Sequence, residues 1–533
     1  MLLACTLDGM FRSLPAVALA FLCLPMAHAA ECASLKSLTL PDTTITAAER
    51  VGPGVVPGTV QVGTPVPRDM PAFCRVTGVL RPTADSVIRF EVWLPEAAAW
   101  GGRIVNSGNG GFAGSIDYRQ MGNNVLHGYA TAGTDAGHQA EAEDASWAYR
   151  HPEKIADFGY RAVHLTALRS KEVVKAFYGK PQTTAYFDAC SDGGREALME
   201  AQRFPEDYDG ILAGAPANNW TRMLASGIAI AQATTRDPTA YISSKKLPAI
   251  NAAELLACDA QDGLKDSIVS DPAHCTFDPA VLACKGADDV SCLTAPQVAS
   301  LRTLYAGGKG RDGKAIFPGL LPGDENPVWR DWVLGSAPGG ASGNNYVTGY
   351  FRYMVYNDPL WQPMTADVDA ALARALQTTG KDVDATNPDL RPFAKHGGKL
   401  VIYHGWNDPA ISPWNSVDYY RSVEKAMGAD AARAAVRLYL VPGMEHCLNG
   451  PGPSVMGQLS LPGAGGPGTG ALDLLQQWVE KGQAPGSILA AKQAGTREKP
   501  DLTVRPVCAF PQEAKYDGKG DPKVPGSFSC VAP

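Results

Sequence analysis

No CxxC pair occurs among the 12 cysteines of this chain, so a zinc ribbon or finger has no ligand pattern to build on. A basic excess is missing too. The net charge is −7 and only 19% of the 533 residues are charged, which argues against nucleic acid or an anionic membrane as the main partner. Beyond residue 30 no apolar run is long enough to span a bilayer. No internal repeat period is visible, so a solenoid is not indicated. What is present is an apolar fraction of 45%, with 56 Gly and 41 Pro. That composition suits a soluble globular chain with a sizeable core, long ordered loops and more than one ordinary domain's length.

The first thirty residues read as an export leader. Arg12 precedes an apolar run over 14–26, and Ala27-His28-Ala29 offers a small-residue cleavage site. Cleavage there removes Cys5 and Cys23 and leaves an even set: Cys32, Cys74, Cys190, Cys258, Cys275, Cys284, Cys292, Cys447, Cys508 and Cys530. In a secreted or periplasmic protein such a set reads as disulfides. Sequence-local pairing joins Cys32 to Cys74, Cys258 to Cys275, Cys284 to Cys292, and Cys508 to Cys530. Cys190 and Cys447 are then left for each other, although sequence alone does not settle connectivity.

Alternating apolar and polar residues over 73–95 suggest antiparallel edge strands. Short apolar runs at 103–106, 129–133, 184–189, 210–213, 399–403 and 436–441 read as buried strands, and 158–178 and 195–204 as helices. This alternation predicts an α/β fold with a mostly parallel sheet covered by helices. Between about 218 and 395 the pattern dissolves into Gly, Pro and Asp clusters with four cysteines. Because buried strands resume after it, this stretch reads as a lid domain (218–395) inserted between two parts of the core, 31–217 and 396–533.

Cys190-Ser191-Asp192-Gly193-Gly194 sits at a predicted strand–turn–helix junction, where a serine is presented as a nucleophile. Ala189 replaces the first glycine of the usual G-x-S-x-G pattern. A nucleophilic serine needs a base and an acid that orients it. His446 follows the strand at 436–441 through Pro442-Gly443-Met444, and Asp408 follows the strand at 399–403. The chain order Ser191, Asp408, His446 is that of α/β-hydrolases. His404 is a rival base, but it precedes the acid on the same strand end, which suits a supporting role. The backbone N–H of Asp192 is expected in the oxyanion hole, and Gly111, in the turn Asn109-Gly110-Gly111-Phe112, is the expected second donor.

A second constellation lies at 258–268. Asp259, Asp262 and Asp266 surround Gly263, and the carbonyls of Leu264 and Ile268 complete an oxygen set suited to a structural Ca²⁺ ion. The spacing is not that of an EF-hand, and a solvated acidic loop is the plainer alternative.

With these residues the chain resembles the tannase/feruloyl esterase family, which also contains the bacterial mono(2-hydroxyethyl) terephthalate hydrolase. The resemblance rests on the Ser191 and His446-Cys447 motifs, His404-Gly405 with Asp408 and Ile411, the Asn109 turn, Thr134-Asp135-Ala136-Gly137-His138 and the Asp-rich loop. It implies an α/β-hydrolase core, a substrate-contacting lid with a bound calcium ion, and hydrolysis of small esters of aromatic carboxylic acids: feruloyl, galloyl or terephthalate monoester. The lid aromatics Tyr346, Tyr350, Phe351, Tyr353, Tyr356 and Trp361 are candidates for the acyl pocket, and Arg352 for a substrate carboxylate. Two other readings remain: a peptidase on the same core, and a non-catalytic phenolic- or carbohydrate-binding protein.

Overall fold

The computed structural model describes residues 30–55, 67, 69–323, 325, 327–495 and 500–532. The leader expected over 1–30, with Cys5 and Cys23, lies outside the described residues except for Ala30.

Nine strands form one sheet: β1 (Thr43–Val51), β2 (Phe73–Leu80), β3 (Ile88–Pro95), β4 (Arg103–Ser107), β5 (Ala130–Thr134), β6 (Thr184–Cys190), β7 (Gly210–Gly214), β8 (Lys399–Gly405) and β9 (Val436–Val441). Their spatial order is β1-β2-β3-β5-β4-β6-β7-β8-β9. The pairings from β5 to β9 are all parallel, and β1, β2, β3 and β5 pair antiparallel. The apolar runs in β6 to β9 follow from this position, because strands covered by helices on both faces gain nothing from alternation.

The strands at 73–95 are antiparallel as expected but not at the edge. β1 covers β2, and Cys32–Cys74 fastens the segment before β1 to β2. β1 escapes notice in the sequence because only Ile45 and Val51 are buried, and the residues between them (Thr46, Ala47, Ala48, Glu49 and Arg50) show no clear alternation. The helix expected over 158–178 is regular only from Ala162 to Tyr178. A wider π turn, Asp157–Arg161, precedes it. There the buried Asp157 accepts hydrogen bonds from Arg161 Nε at 2.5 Å and from Ser86 Oγ at 3.1 Å.

β7 pairs directly with β8, so the chain leaves the sheet after Gly214 and re-enters it at Lys399. Among the described residues the intervening segment adds helices and no strand to the sheet. Part of it packs on a cluster of its own, including Leu247, Ile250, Leu301, Leu304 and Trp329. Two small hairpins near the C-terminus, β10 (Ser487–Gly495) with β11 (Pro500–Cys508) and β12 (Glu513–Tyr516) with β13 (Phe528–Val531), complete the strands. The C-terminal ends of β4, β6, β8 and β9 all open onto one region, where the site is built.

Candidate active site

Ser191 joins β6 to the helix Asp192–Arg203 with φ 67° and ψ −122°, a conformation few L-residues adopt. The turn holds because its backbone is anchored. Ser191 N–H donates to Gly214 O at 2.9 Å, and Gly193 N–H donates to Asn109 O at 2.8 Å. Glycine is required beside it, since a Cβ on Gly194 would lie 2.2 Å from Gly214 O.

His446 Nε2 lies 2.8 Å from Ser191 Oγ, and its Nδ1 lies 2.7 Å from Asp408 Oδ2. A carboxylate at Nδ1 fixes the proton there and leaves Nε2 to accept from the serine hydroxyl. Asp408 Oδ1 accepts from the N–H groups of Ala410 (2.8 Å) and Ile411 (2.9 Å). His404 is brought in as a second partner of the acid. Its Nε2 faces Asp408 Oδ2 at 3.1 Å and Ile411 O at 3.0 Å, so it donates there, while Nδ1 accepts from Ser416 Oγ at 2.7 Å. Burial alone would push the Asp408 carboxyl up, but His446 and His404 together outweigh it and hold the group well below the usual carboxylate range.

The Asn109 turn is tied to the nucleophile helix by a residue the motif search passes over. Glu196, fully buried, accepts the Asn109 N–H at 2.9 Å. Gly111 borders the same cavity as Ser191 and Asp192. Its φ is +60°, and a Cβ there would lie 2.6 Å from both Ala142 O and the Tyr346 hydroxyl. Arg195, also buried, donates to Asp192 Oδ1 and to the carbonyls of Gly159 and Phe158, which ties the Asp192 side chain to the π turn before the helix Ala162–Tyr178.

All five expected disulfides form. Cys190–Cys447 spans 257 positions and joins the neighbour of Ser191 to the neighbour of His446.

Two cavities meet at Ser191 and share Gly111, Trp332, Tyr346 and His446. The first is walled by Trp220, Leu224, Ile230, Phe317, Val347 and Ile411, and among the described residues no Lys or Arg lines it. The second is more polar and runs along Asn109 and residues 115–120. Trp332 stands in a π turn, Arg330–Leu334, with its ring 5.8 Å from that of His446 and stacked on Tyr346. Of the six aromatic candidates, Tyr346 alone borders these cavities. Tyr350 is buried and bonded to Thr379, while Phe351, Tyr356 and Trp361 stack together elsewhere. Arg352 Nε donates to Trp361 O and borders neither cavity.

In the Asp-rich loop each carboxylate builds the turn with one oxygen. Asp259 Oδ1 accepts from the N–H groups of Asp266 and Ser267, Asp262 Oδ1 from Leu264, and Asp266 Oδ1 from Ile268. Cys258–Cys275 closes the loop. The second oxygens of Asp262 and Asp266 meet Ser270 Oγ (2.6 Å) and Arg505 Nη2 (2.5 Å). The donors are all hard oxygens, as Ca²⁺ requires. The three carboxylates do not converge on one point in this structure, however, and Arg505 already occupies Asp266, so a bound ion requires the loop to draw them together.

The model of the tannase and feruloyl esterase family matches residues 74–531. An uncharacterised esterase of Xanthomonas campestris is 39% identical, covering 94% of this chain and 91% of that one. A probable feruloyl esterase B-1 of Aspergillus oryzae is 33% identical over 86% and 84% of the two chains. Among solved structures, feruloyl esterase B from Aspergillus oryzae aligns with a TM-score of 0.85 at 30% identity, covering 94% of this chain and 99% of that one. The tannin acyl hydrolase of Aspergillus niger shares the fold, with a TM-score of 0.74 at 23% identity over 93% of both. The matched span encloses β3 to β9, all of β2 but Phe73, and every residue of the Ser191 constellation, and on that basis the chain belongs to the tannase and feruloyl esterase family, a carboxylic ester hydrolase on the α/β-hydrolase fold.

Proposed function

We propose that this chain is a serine esterase acting through an acyl-enzyme on small esters of neutral aromatic acids. The observation that carries this is the hydrogen-bonded chain Ser191–His446–Asp408 at the mouth of an apolar cavity. Ser191 Oγ attacks the ester carbonyl as His446 Nε2 takes its proton, and the imidazolium formed is stabilised by Asp408. The N–H groups of Asp192 and Gly111 serve the oxyanion. His446 then protonates the departing alcohol, and water repeats the sequence on the acyl-enzyme.

The first cavity favours a hydroxycinnamoyl-type acid over the two alternatives. A terephthalate monoester would bring a carboxylate into walls that hold no cation, a costly burial. A galloyl ring carries three hydroxyls where a feruloyl ring carries one, and the wall offers them chiefly Ser226, Ser412 and Asn344 among the described residues, with one hydrogen-bonding position on each serine already taken. Each ring hydroxyl left without a partner costs about 1–3 kcal/mol. Export from the cytoplasm is proposed as well, on the strength of five disulfides. We also assign Asp259, Asp262, Asp266 and the carbonyls of Leu264 and Ile268 to a structural Ca²⁺.

The test is a rate comparison on methyl ferulate, methyl gallate and mono(2-hydroxyethyl) terephthalate, with Ser191→Ala as control. Highest kcat/KM on the ferulate and loss of activity in the variant are expected. Full activity in Ser191→Ala sinks the mechanism, and a preference for the terephthalate sinks the substrate assignment.

A further inference from the structure

Arg119 stands in the helix Tyr118–Leu126 and lines the second cavity at Ser191. It is half-buried, its Nε is buried with no hydrogen-bond partner, and among the described residues it makes no ion pair. Among the described residues no other Lys or Arg borders either cavity. A guanidinium partly withdrawn from water without a partner is costly, and its five donors in a fixed fork match a carboxylate.

The ester carbonyl has two substituents, and both cavities open at Ser191. With the aromatic ring in the apolar cavity, the alcohol portion falls into the second, beside the His446 that must protonate its oxygen. Asp117 is the acidic side chain in that cavity, and its Oδ1 is committed to the N–H of Gln120 at 2.9 Å as the helix cap. Tyr118 is committed as well, its hydroxyl donating to Glu91. We propose that Arg119 is a specificity residue that selects esters whose alcohol portion carries a carboxylate, that is, aromatic esters of hydroxycarboxylic acids. This rests on the proposed acylation of Ser191. Arg119 touches only the leaving group, so it adds to the rate on such esters and is dispensable for neutral ones.

The experiment compares feruloyl esters of glycolic acid and 4-hydroxybutyric acid with the matching neutral carboxamides, at low and high salt. For the better-fitting length, wild type is expected to prefer the acid over the amide by about tenfold or more in kcat/KM, with the preference shrinking as salt screens the pair. Arg119→Gln is expected to erase that preference and leave the amide rate unchanged. Arg119→Lys should keep part of it, and Asp117→Asn, which keeps a helix cap but removes the opposing charge, should enlarge it. Equal preference in wild type and Arg119→Gln overturns the proposal while leaving the esterase reading intact. A protein that hydrolyses none of the four esters overturns both.

Discussion

Cys190 and Cys447 are covalently joined with their Cα atoms 6.1 Å apart, so the residue before the serine is bonded to the residue after the histidine. The bond runs between the ends of β6 and the loop after β9, which are separated in the sheet by β7 and β8. Chain entropy for so long a loop amounts to about 5 kcal/mol as an upper figure, because the other bridges already restrict the unfolded chain. Its place points to a second effect, on the 2.8 Å contact between Ser191 Oγ and His446 Nε2. The double variant Cys190→Ser with Cys447→Ser is expected to lose more than about tenfold in kcat at a temperature where it is still folded, with KM changed much less. Steady-state kinetics beside circular dichroism checks this. Unchanged kcat in the folded variant would confine the bridge to stability.

Glu196 reaches back from the nucleophile helix to the Asn109 N–H, and the Asn109 carbonyl receives Gly193 N–H. These two bonds set the position of the Gly111 turn against Ser191. Burial first, and then the charge of Asp192, push the Glu196 carboxyl up. A glutamine amide is therefore a fair replacement and alanine is not. Glu196→Gln should keep kcat within a few fold. Glu196→Ala frees the turn and should lower kcat by about 10- to 100-fold, since one displaced oxyanion donor is worth about 3 kcal/mol. Equal rates in the two variants would show that the turn holds without this bond.

Stability should fall as pH rises toward neutrality. Burial pushes the carboxyls of Asp135 and Asp188 up to about 7, against about 3.9 in an unfolded chain. The native state then binds protons that the unfolded state has released. The contribution is complete below pH ~4, declines above it and is gone once pH passes about 7. His138, lowered to about 4 by burial, acts in the opposite sense between about 4 and 6.5, but it is outnumbered, since burial pushes up Glu196, Glu200 and Glu254 as well. Asp188 is the better handle, because its oxygens accept the N–H groups of Leu459 and Ser460. Urea melts between pH 4.5 and 7.5 should show declining stability. Asp188→Asn should remove up to one proton's worth of slope, about 1.4 kcal/mol per pH unit. An unchanged slope would mean that Asp188 is ionised throughout.

The Ser191 constellation was legible in the chain because its signals are local: a serine between a strand and paired glycines, and an acid and a histidine each just past a buried strand. The disulfides were legible because four partners lie close in sequence and only one distant pair is left. Trp332 and Arg119 were not. Trp332 reaches His446 through a π turn in the segment after β7, and no residue pattern encodes such a turn. Arg119 looks like any exposed helix charge until the Asn109 turn and the Cys447 loop place a cavity beside it. Glu196 and Arg195 read as polar positions of an amphipathic helix, yet both are buried, because this helix is covered on every side.

Asp266 accepts from Arg505 of β11, so the Asp-rich loop is linked to the C-terminal hairpin as well as to its own disulfide. A Ca²⁺ ion held there would stabilise by binding the folded loop alone, about 2.7 kcal/mol at a hundredfold excess over Kd. Chelation with EDTA should therefore lower Tm by roughly 2–3 °C in a chain of this size, and added Ca²⁺ should restore it. Asp262→Asn should abolish the response. Because Ser191 belongs to another element, the rate at which an aryl phosphonate phosphonylates Ser191, releasing its phenol, should be the same with and without the ion at a temperature where both forms are folded. A Tm indifferent to chelation would leave these three aspartates as turn-forming residues whose only cation is Arg505.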